Sequence, residues 1–380
     1  MNGIELLRIA VLVVYIVSGL LLSSLIVGKR IHQRRQLAHY RRRAKYLALL
    51  SRGLTTPDLR VDLGPRVAED QAFLDALIDI RTSVIGPESD ELATFVGRFG
   101  VMEGYARRLR GRLFVTRRLR AAVALAEVAD DSFAPVLMDH LGDREPEIRI
   151  QAARGLARMH WTPAIDAIVD RFSVENPWVR SRFEDTLLSF GSKATWPLIA
   201  YIRVNHRFES PGSAAAIRTL ANLGDRDAVT PLIDILGRAS DIEIKLAAIE
   251  TLGVLGVPLA FESLEKMFTA EDWRLRAKAA TALAKVGDPR SLPALSSGLI
   301  DSNWWVRRNA AQGLSKYPEG IRRLHAAIRS ADPFARDAAA EALADAGEVI
   351  AARQRIEEGV PTDEDLELIE FIQSELVVPG

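Results

Sequence analysis

The amino-acid sequence predicts an all-α protein: an α-solenoid of antiparallel helix pairs, preceded by one transmembrane helix. Three observations predict this fold. A pattern of about 31 residues recurs eight times, one long apolar stretch near the N-terminus carries no charge, and no segment has the character of a β-strand. At 380 residues the chain exceeds the usual size of a single core, whereas a stack of repeats buries more core with every added repeat.

The apolar stretch, residues 9–28, contains no charged residue and follows a short N-terminal flank, residues 1–8. About 20 apolar residues span the hydrocarbon core of a bilayer, so we predict a transmembrane helix here. A cleaved secretory signal is the alternative, but the run is long and lacks a small-residue cleavage site. Only Arg8 precedes the span, whereas eight basic residues follow it. The positive-inside rule then predicts a single-pass inner-membrane protein, with its N-terminus out and its repeat domain cytoplasmic.

Residues 29–65 form a basic juxtamembrane segment, which is a candidate for contact with anionic lipid headgroups. A simple stop-transfer flank is the alternative. Charge is uneven over the chain, with 21 basic and 11 acidic residues up to position 120 and 29 basic and 39 acidic residues after it. The acidic remainder has no general affinity for polyanions. The candidate membrane-surface residues are Lys29, Arg30, Arg34, Arg35, Arg41, Arg42, Arg43 and Lys45.

The repeat is built around a basic anchor residue. Small residues follow at plus three and plus four, leucine at plus seven, and glycine or another breaker at plus eleven, as in the sequence RAKAATALAKVG. These positions share one face of a helix, which we call the B helix, and a shorter apolar A helix precedes it. The anchors are Arg118, Arg149, Arg180, Ser213, Lys245, Arg276, Arg307 and Arg336, and the plus-seven residues are Leu125, Leu156, Leu187, Leu220, Leu252, Leu283, Leu314 and Leu343.

Start and stop signals bracket the B helices. Four residues before the anchors stand candidate N-caps, namely Glu145, Asn176, Asp241, Asp272, Asn303 and Asp332. Prolines follow at the first helical position, where a missing amide hydrogen costs least; they are Pro146, Pro177 and Pro333. Candidate left-handed C-caps are Gly191, Gly224, Gly256, Gly287 and Gly347.

Less regular helices flank the repeats. Residues 66–112 are predicted to form an irregular helical N-terminal cap, residues 113–347 the repeat array, and residues 348–380 an acidic C-terminal capping repeat. In the last of these, Thr362 can cap a helix that has three acids in its first turn and apolar residues on one face. Such a helix closes the core with a soluble outer face.

This pattern resembles HEAT-like repeats, particularly the short E-Z type named after phycobilisome lyase subunits, over about residues 115–350. The resemblance implies polar ladders in which an acidic residue of the inter-helix turn pairs with the anchor arginine. Two copies match both positions, Asp272 with Arg276 and Asp332 with Arg336.

Two copies depart from the repeat pattern. Ser213 lacks the basic group, and the Arg180 copy has Phe183 and Glu184 where small residues are expected. A longer loop, residues 205–212, lies between them. We expect a kink, a breach in the groove or an unusual site here.

No catalytic or metal-binding motif is present in the sequence. There is no cysteine, six histidines are scattered without ligand spacing, and no nucleophile elbow or phosphate-binding loop occurs. The sequence therefore predicts no enzymatic activity, no cofactor, no metal and no small-molecule substrate. The lack of cysteine suits a reducing compartment.

Surface candidates come from aromatic and basic residues of the B helices. Most aromatic residues near the helix starts are expected to be core, with a binding edge as the alternative, but Trp304 and Trp305 differ by about 100° and can hardly both be buried. Mixed charge on the exposed face fits a protein groove better than nucleic acid. The candidate partner-binding residues are Trp304, Trp305, Arg308, Trp273, Trp178, Arg154, Arg158, Arg218, Lys285 and Lys316.

A second basic cluster, with no acid between Glu103 and Glu127, is a candidate for anionic lipid or an acidic protein partner before nucleic acid. It comprises Arg107, Arg108, Arg110, Arg112, Arg117, Arg118 and Arg120.

Together these patterns predict a membrane-anchored cytoplasmic scaffold or adaptor for protein–protein interactions, in a membrane or envelope/exopolysaccharide machine. Its partners would be membrane-associated or cytoplasmic proteins. A phycobilin-lyase-like or chaperone-like subunit and a HEAT-like nucleic-acid-binding protein are the alternatives.

Overall fold

Helices account for all regular structure in the computed structural model, which describes residues 3–56, 67–83, 87–112, 114–205 and 211–376. Within those ranges the side chains of residues 3–17, 19, 87–90, 93, 211, 375 and 376 are not described. The chain divides into two compact units, Met1–Trp161 and Thr162–Gly380. The described residues contain no strand, so the predicted all-α class is confirmed for them.

Unit 1 begins with a very long helix and continues into two repeats. The repeats are the pairs α4/α5 and α6/α7, and short 3-10 turns stand at Val67–Glu69 and Asp131–Phe133. The helices are α1 (Gly3–Thr55), α2 (Gln71–Ser83), α3 (Pro87–Gly97), α4 (Val101–Leu109), α5 (Val115–Val128), α6 (Ala134–Asp139) and α7 (Pro146–Arg158).

Unit 2 is a solenoid of seven helix pairs. The even-numbered helices are the A helices and the odd-numbered ones the B helices. The pairs are α8 (Ala164–Asp170) and α9 (Pro177–Leu188), α10 (Thr195–Asn205) and α11 (Pro211–Leu223), α12 (Val229–Arg238) and α13 (Ile242–Leu255), α14 (Phe261–Phe268) and α15 (Trp273–Val286), α16 (Ser291–Gly298) and α17 (Trp304–Leu314), α18 (Pro318–Ile328) and α19 (Pro333–Asp345), and α20 (Glu348–Glu357) and α21 (Asp363–Leu376).

The repeat pattern predicts the buried face of every B helix correctly. All eight anchors lie in B helices, and all eight plus-seven leucines are at most 1% exposed. Consecutive B helices approach closely over small residues: a Cβ on Gly253 of α13 would lie 2.8 Å from Cα of Ala282 in α15. Leucine at plus seven therefore supplies the core, and small residues set the helix spacing.

The predicted helix ends are confirmed with one exception. Five of the six candidate N-caps accept a backbone amide, for example Asp241 from Glu243 N at 2.7 Å. Glu145 does not cap, and its own amide donates to Oδ1 of Asp143 at 2.9 Å instead. All five predicted C-cap glycines have positive φ, between 59° and 84°.

The anchor arginines tie each B helix to the turn before it. Their guanidinium groups donate to backbone carbonyl oxygens five or six residues upstream, which satisfies acceptors in the turn between the A and B helices. The contacts are Arg149 to Asp143 O at 2.8 Å, Arg180 to Glu175 O at 2.6 Å, Arg276 to Ala270 O at 2.9 Å, Arg307 to Asp301 O at 2.8 Å and Arg336 to Ser330 O at 3.0 Å.

The polar ladder differs from the one that the resemblance implies. Asp272 caps α15 and pairs with Arg274, whereas Arg276 makes a two-pronged ion pair with Asp301 at 2.7 and 2.9 Å. Arg118 pairs with Asp143 through one contact, again 25 residues on. In both cases the acidic partner belongs to the next repeat, and in the Arg276 repeat Asp272 is already engaged by an amide of the helix start.

The last third of α1, from residue 39 onwards, is an integral part of unit 1. Arg43 makes two hydrogen bonds of 2.7 Å to Asp79 of α2, and His39 lies 2.9 Å from Asp75. Leu50 is fully buried, and the backbone at Gly53 packs against the ring of Phe95 in α3, where a Cβ would not fit.

The membrane-surface interpretation of the basic segment needs correction, because acidic residues of α2 and the turn before it neutralise part of it. Besides the Arg43–Asp79 pair, Arg42 lies 3.3 Å from Asp70. Of the predicted set, the exposed residues outside ion pairs in the described part of the chain are Lys29, Arg30, Arg34, Arg35, Arg41 and Lys45.

The predicted transmembrane helix over 9–28 is wrong. Among the described residues, no helix has both the length and the apolar character needed to cross a bilayer. Residues 9–17 and 19 are helical, but their side chains lie outside the described ones. Without a transmembrane helix, the predicted inner-membrane location and N-out topology are wrong, and contact with lipid headgroups has no support.

Candidate functional site

Five aromatic residues lie at the starts of B helices in unit 2, two or three positions before the anchor. Position minus two points away from the buried stripe, and minus three is the first residue of the helix, so neither reaches the core. The interpretation of most of these residues as core is therefore wrong. They are 40–59% exposed and comprise Trp178, Trp273, Trp304, Trp305 and Phe334.

A groove crosses the first turns of three consecutive B helices, α13, α15 and α17. It encloses about 250 Å³. We call it the aromatic groove, and it is lined by Leu246, Trp273, Arg274, Ala277, Lys278, Thr281, Trp305 and Asn309.

Trp305 is held at the groove by its neighbours. Its ring meets that of Trp304 edge-on, with centroids 4.6 Å apart at 75°. The guanidinium of Arg308 lies 5.3 Å from the Trp304 ring centroid and 3.1 Å from Glu341 of the next repeat. This chain of contacts limits the rotamers of the Trp304 and Trp305 side chains. Binding of a partner would therefore cost little side-chain entropy at these residues.

Asn309 links two of the groove helices. Its Nδ2 donates to the carbonyl oxygen of Ala277 at 3.0 Å, which ties α17 to α15. Among the described residues its Oδ1 accepts no hydrogen bond, so an acceptor is left at the groove.

The cations of the groove are paired with acids at its edge. Lys278 lies 3.2 Å from Glu250, and Arg274 lies 2.8 Å from Asp272. The hydrogen bond from Arg274 lowers the pKa of Asp272, so this carboxylate stays charged at neutral pH. The groove is therefore apolar in character and close to neutral, and it does not have the excess positive charge that a polyanion requires.

Comparison with known proteins identifies the repeats. The family model for HEAT repeats matches residues 111–187, 209–272 and 262–319. These segments are HEAT repeats. The match includes B helices α5, α7, α9, α11, α13, α15 and α17, and with them all three helices of the aromatic groove.

Comparison with solved structures found similar chains. Kap121p bound to Pho4p is 13% identical with a TM-score of 0.52, and the match covers 87% of this chain and 43% of that one. Kap95p in complex with Nup1 is 13% identical with a TM-score of 0.46, covering 81% and 51%. An engineered protein is 19% identical with a TM-score of 0.35, covering 86% and 99%. No match was found among curated protein sequences.

The structure gathers some of the predicted partner-binding residues and separates others. Trp273, Trp304, Trp305 and Arg308 lie at or beside the aromatic groove. The rest lie on other HEAT repeats or at helix ends: Trp178 on α9, Arg218 on α11, Lys285 at the end of α15, Lys316 after α17, and Arg154 and Arg158 on α7.

Two of these separated residues have intramolecular roles. Arg158 forms a 2.6 Å ion pair with Glu127, a carboxylate that is only 9% exposed, and so holds α7 to α5. Arg218 is exposed on α11 and interacts electrostatically with Glu184. Burial raises the pKa of Glu184, and Arg218 acts in the opposite direction.

Sequence reasoning missed several groove residues. Leu246 and Ala277 stand one position after an anchor, and Lys278 and Asn309 two positions after. These positions share a helix face with the exposed minus-two residues, since 3.6 residues make a turn. The positions one and two residues after each anchor therefore carry the sequence signal that identifies these groove residues.

The described residues contain no group of three His, Asp or Glu side chains that could hold a metal ion.

Proposed function

We propose that the protein is a non-catalytic adaptor that binds another protein through the aromatic groove. The observation that carries this proposal is the pair of half-exposed indoles, Trp273 and Trp305, on consecutive HEAT repeats around an apolar cavity. Large aromatic side chains left in water are energetically unfavourable, and Trp is among the residues most often found as interface anchors.

The chemistry of the groove favours an apolar side chain of the partner, inserted between the two indoles. Its volume of about 250 Å³ suits one large side chain with adjoining backbone. The free Oδ1 of Asn309 would accept a backbone N–H of the bound segment. Charged neighbours such as Lys278 and Glu250 would fix its orientation at the rim rather than supply the affinity.

The similarity to Kap121p supports this proposal at the level of the fold alone. That structure contains a protein partner, Pho4p. A stack of HEAT repeats with exposed B-helix residues is a suitable scaffold for such binding, because each repeat adds surface without altering the core of its neighbours.

The experiment uses the tagged full-length chain with a photo-crosslinking amino acid in place of Leu246, which lines the groove. Proteins crosslinked in cells are identified by mass spectrometry, and the most abundant is then tested by pull-down. Trp273→Ala with Trp305→Ala should lower its recovery at least tenfold, because anchor residues contribute on the order of 2 kcal/mol or more.

Trp178→Ala is the matched control, since it removes an equally exposed indole outside the groove. We expect it to leave recovery unchanged, and both variants to melt within about 2 °C of the parent chain. Equal recovery with the groove variant and with the control would rule out the groove as the binding site. Crosslinks to nucleic acid in place of protein would contradict the partner class.

A further inference from the structure

Unit 1 contains a second cavity, formed by α4, α5 and the turn Val67–Glu69, which encloses about 190 Å³. Three of its six lining residues are arginines. The lining consists of Ala68, Glu69, Tyr105, Arg108, Arg117 and Arg120. One acid against three guanidinium groups leaves a net charge of about plus two.

We propose that this cavity, the arginine pocket, binds a phosphate-type dianion. Neither the HEAT repeats nor the aromatic groove requires such a site, and the groove lies in the other unit. The six lining residues define the arginine pocket throughout.

The arginines are presented in different ways. Arg108 donates to the carbonyl oxygen of Ala68 and lies 3.0 Å from Glu69, so its position is fixed from one side. Arg117 lies 4.8 Å from the ring centroid of Phe114, which orients its guanidinium. Arg120 has no ion-pair or hydrogen-bond partner within the described ranges of the chain. Bidentate guanidinium donors match the geometry of a phosphate group.

Tyr105 provides the observation that is independent of the arginines. Its side chain is 2% exposed, yet it lines the pocket, and its hydroxyl makes no hydrogen bond to another described residue. A phenolic hydroxyl is a hydrogen-bond donor, so an anionic oxygen atom of a ligand in the pocket would accept from it. Burial raises the pKa of Tyr105, which keeps the hydroxyl protonated and able to donate.

Backbone strain beside the pocket is consistent with a site. Phe114, whose ring carries Arg117, has a φ of 60°, a conformation that is unfavourable for a bulky residue. Such strain persists only where the surrounding structure enforces it, and it concentrates at binding sites.

The test measures thermal unfolding of the full-length chain during titration with inorganic phosphate at pH 7.5, with sodium chloride at matched ionic strength as reference. We expect a saturable rise in the melting temperature beyond that in chloride. Tyr105→Phe and Arg120→Gln should each weaken apparent affinity about tenfold, since each removes one donor to a charged group. A parallel titration with glycerol 1-phosphate distinguishes the source, because tighter binding of this ester than of inorganic phosphate indicates an organic phosphate.

Arg110→Gln is the matched control, because it removes the same charge from the same basic cluster at an exposed residue that does not line the pocket. Its affinity should stay within about twofold of the parent chain. The proposal would be overturned by a linear, non-saturating response, which salts produce by exclusion from the surface. Equal phosphate responses of the Arg110 and Arg120 variants would overturn it as well. Because Arg120 is exposed, its variant should fold even if the Tyr105 variant does not.

Discussion

At the scale of single residues, stability depends on side chains that recur once in each HEAT repeat. Leu283 of α15 is fully buried, as are its counterparts in the neighbouring repeats. Val254, on the adjacent B helix α13, is of similar chemistry but half-exposed. Alanine substitutions at these two positions therefore distinguish the effect of burial on stability from the effect of apolar character alone.

Leu283→Ala should destabilise the protein by roughly 2–5 kcal/mol, because truncation removes apolar contacts and leaves a cavity in a close-packed interior. Val254→Ala, as the control, should change the free energy of unfolding by less than about 0.5 kcal/mol. Urea denaturation followed by circular dichroism measures both. Similar losses for the two variants would contradict the assignment of the plus-seven leucines as the core.

At the scale of elements, the last helix pair illustrates how a solenoid end is closed. Asp365 of α21 is 1% exposed at its side chain, and Arg355 of α20 donates to it at 2.9 and 2.5 Å. Thr362 and Asp365 also form a reciprocal cap, with the amide of Thr362 donating to Asp365 Oδ2 at 2.9 Å and the amide of Asp365 to Thr362 Oγ1 at 3.2 Å. The acidic capping helix predicted from sequence is thus held by an ion pair whose carboxylate is buried.

This pair makes stability depend on pH. The hydrogen bond from Arg355 lowers the pKa of Asp365 below its value in the unfolded chain, about 3.9. The pair therefore contributes fully above about pH 5, and its contribution is lost as pH falls through the folded-state pKa. Asp365→Asn should cost on the order of 2 kcal/mol at pH 7.

The difference between the Asp365 variant and the parent chain should shrink progressively below pH 4, as measured by urea unfolding at a series of pH values. The control is Asp363→Asn, which removes an exposed acid from the same first turn. It should show a smaller effect, because a solvent-exposed charge near a helix end contributes less than 1 kcal/mol. A deficit for Asp365→Asn that did not vary between pH 7 and pH 3 would contradict the assigned role of the charge.

At the scale of the whole molecule, α1 changes character along its length. Up to residue 38, its described side chains are all exposed, including Leu20 and Leu25 at 66% and 73%. From residue 39 onwards it packs on α2 and α3 through ion pairs and through Leu50 and Tyr46, whose ring lies 5.4 Å from that of Phe73. One continuous helix is thus divided into a part that packs within unit 1 and a part that does not.

Two truncations test this division. Removal of residues 1–38 should leave the melting temperature within about 2 °C of the full-length value, because no described buried contact is lost. Removal of residues 1–55 should lower the melting temperature of unit 1 by about 5–15 °C, since it uncovers apolar residues of α2 and α3 and leaves Asp75 and Asp79 without partners. Differential scanning calorimetry of both proteins provides the measurement. Equal melting temperatures would show that α1 contributes nothing to unit 1.

The sequence alone determined the HEAT repeats, their register, the buried leucines, most helix caps and the C-terminal capping helix. These features depend on interactions within a few residues, where helical periodicity and the conformational preferences of Asp, Asn, Pro and Gly act directly. Five of six N-caps and all five glycine C-caps were therefore predictable.

Only the tertiary structure decided which long-range partners these side chains take. The pairing of Arg276 with Asp301 joins residues 25 positions apart, and that of Arg43 with Asp79 joins residues 36 apart. Charge alone does not specify such pairs, since several acids lie within reach of each arginine until the helices are packed. The aromatic groove likewise depends on three helices meeting, because a tryptophan at a helix start is core or surface according to what its neighbours cover. The same reason explains why the polar ladder and the role of the basic segment after residue 28 were predicted wrongly.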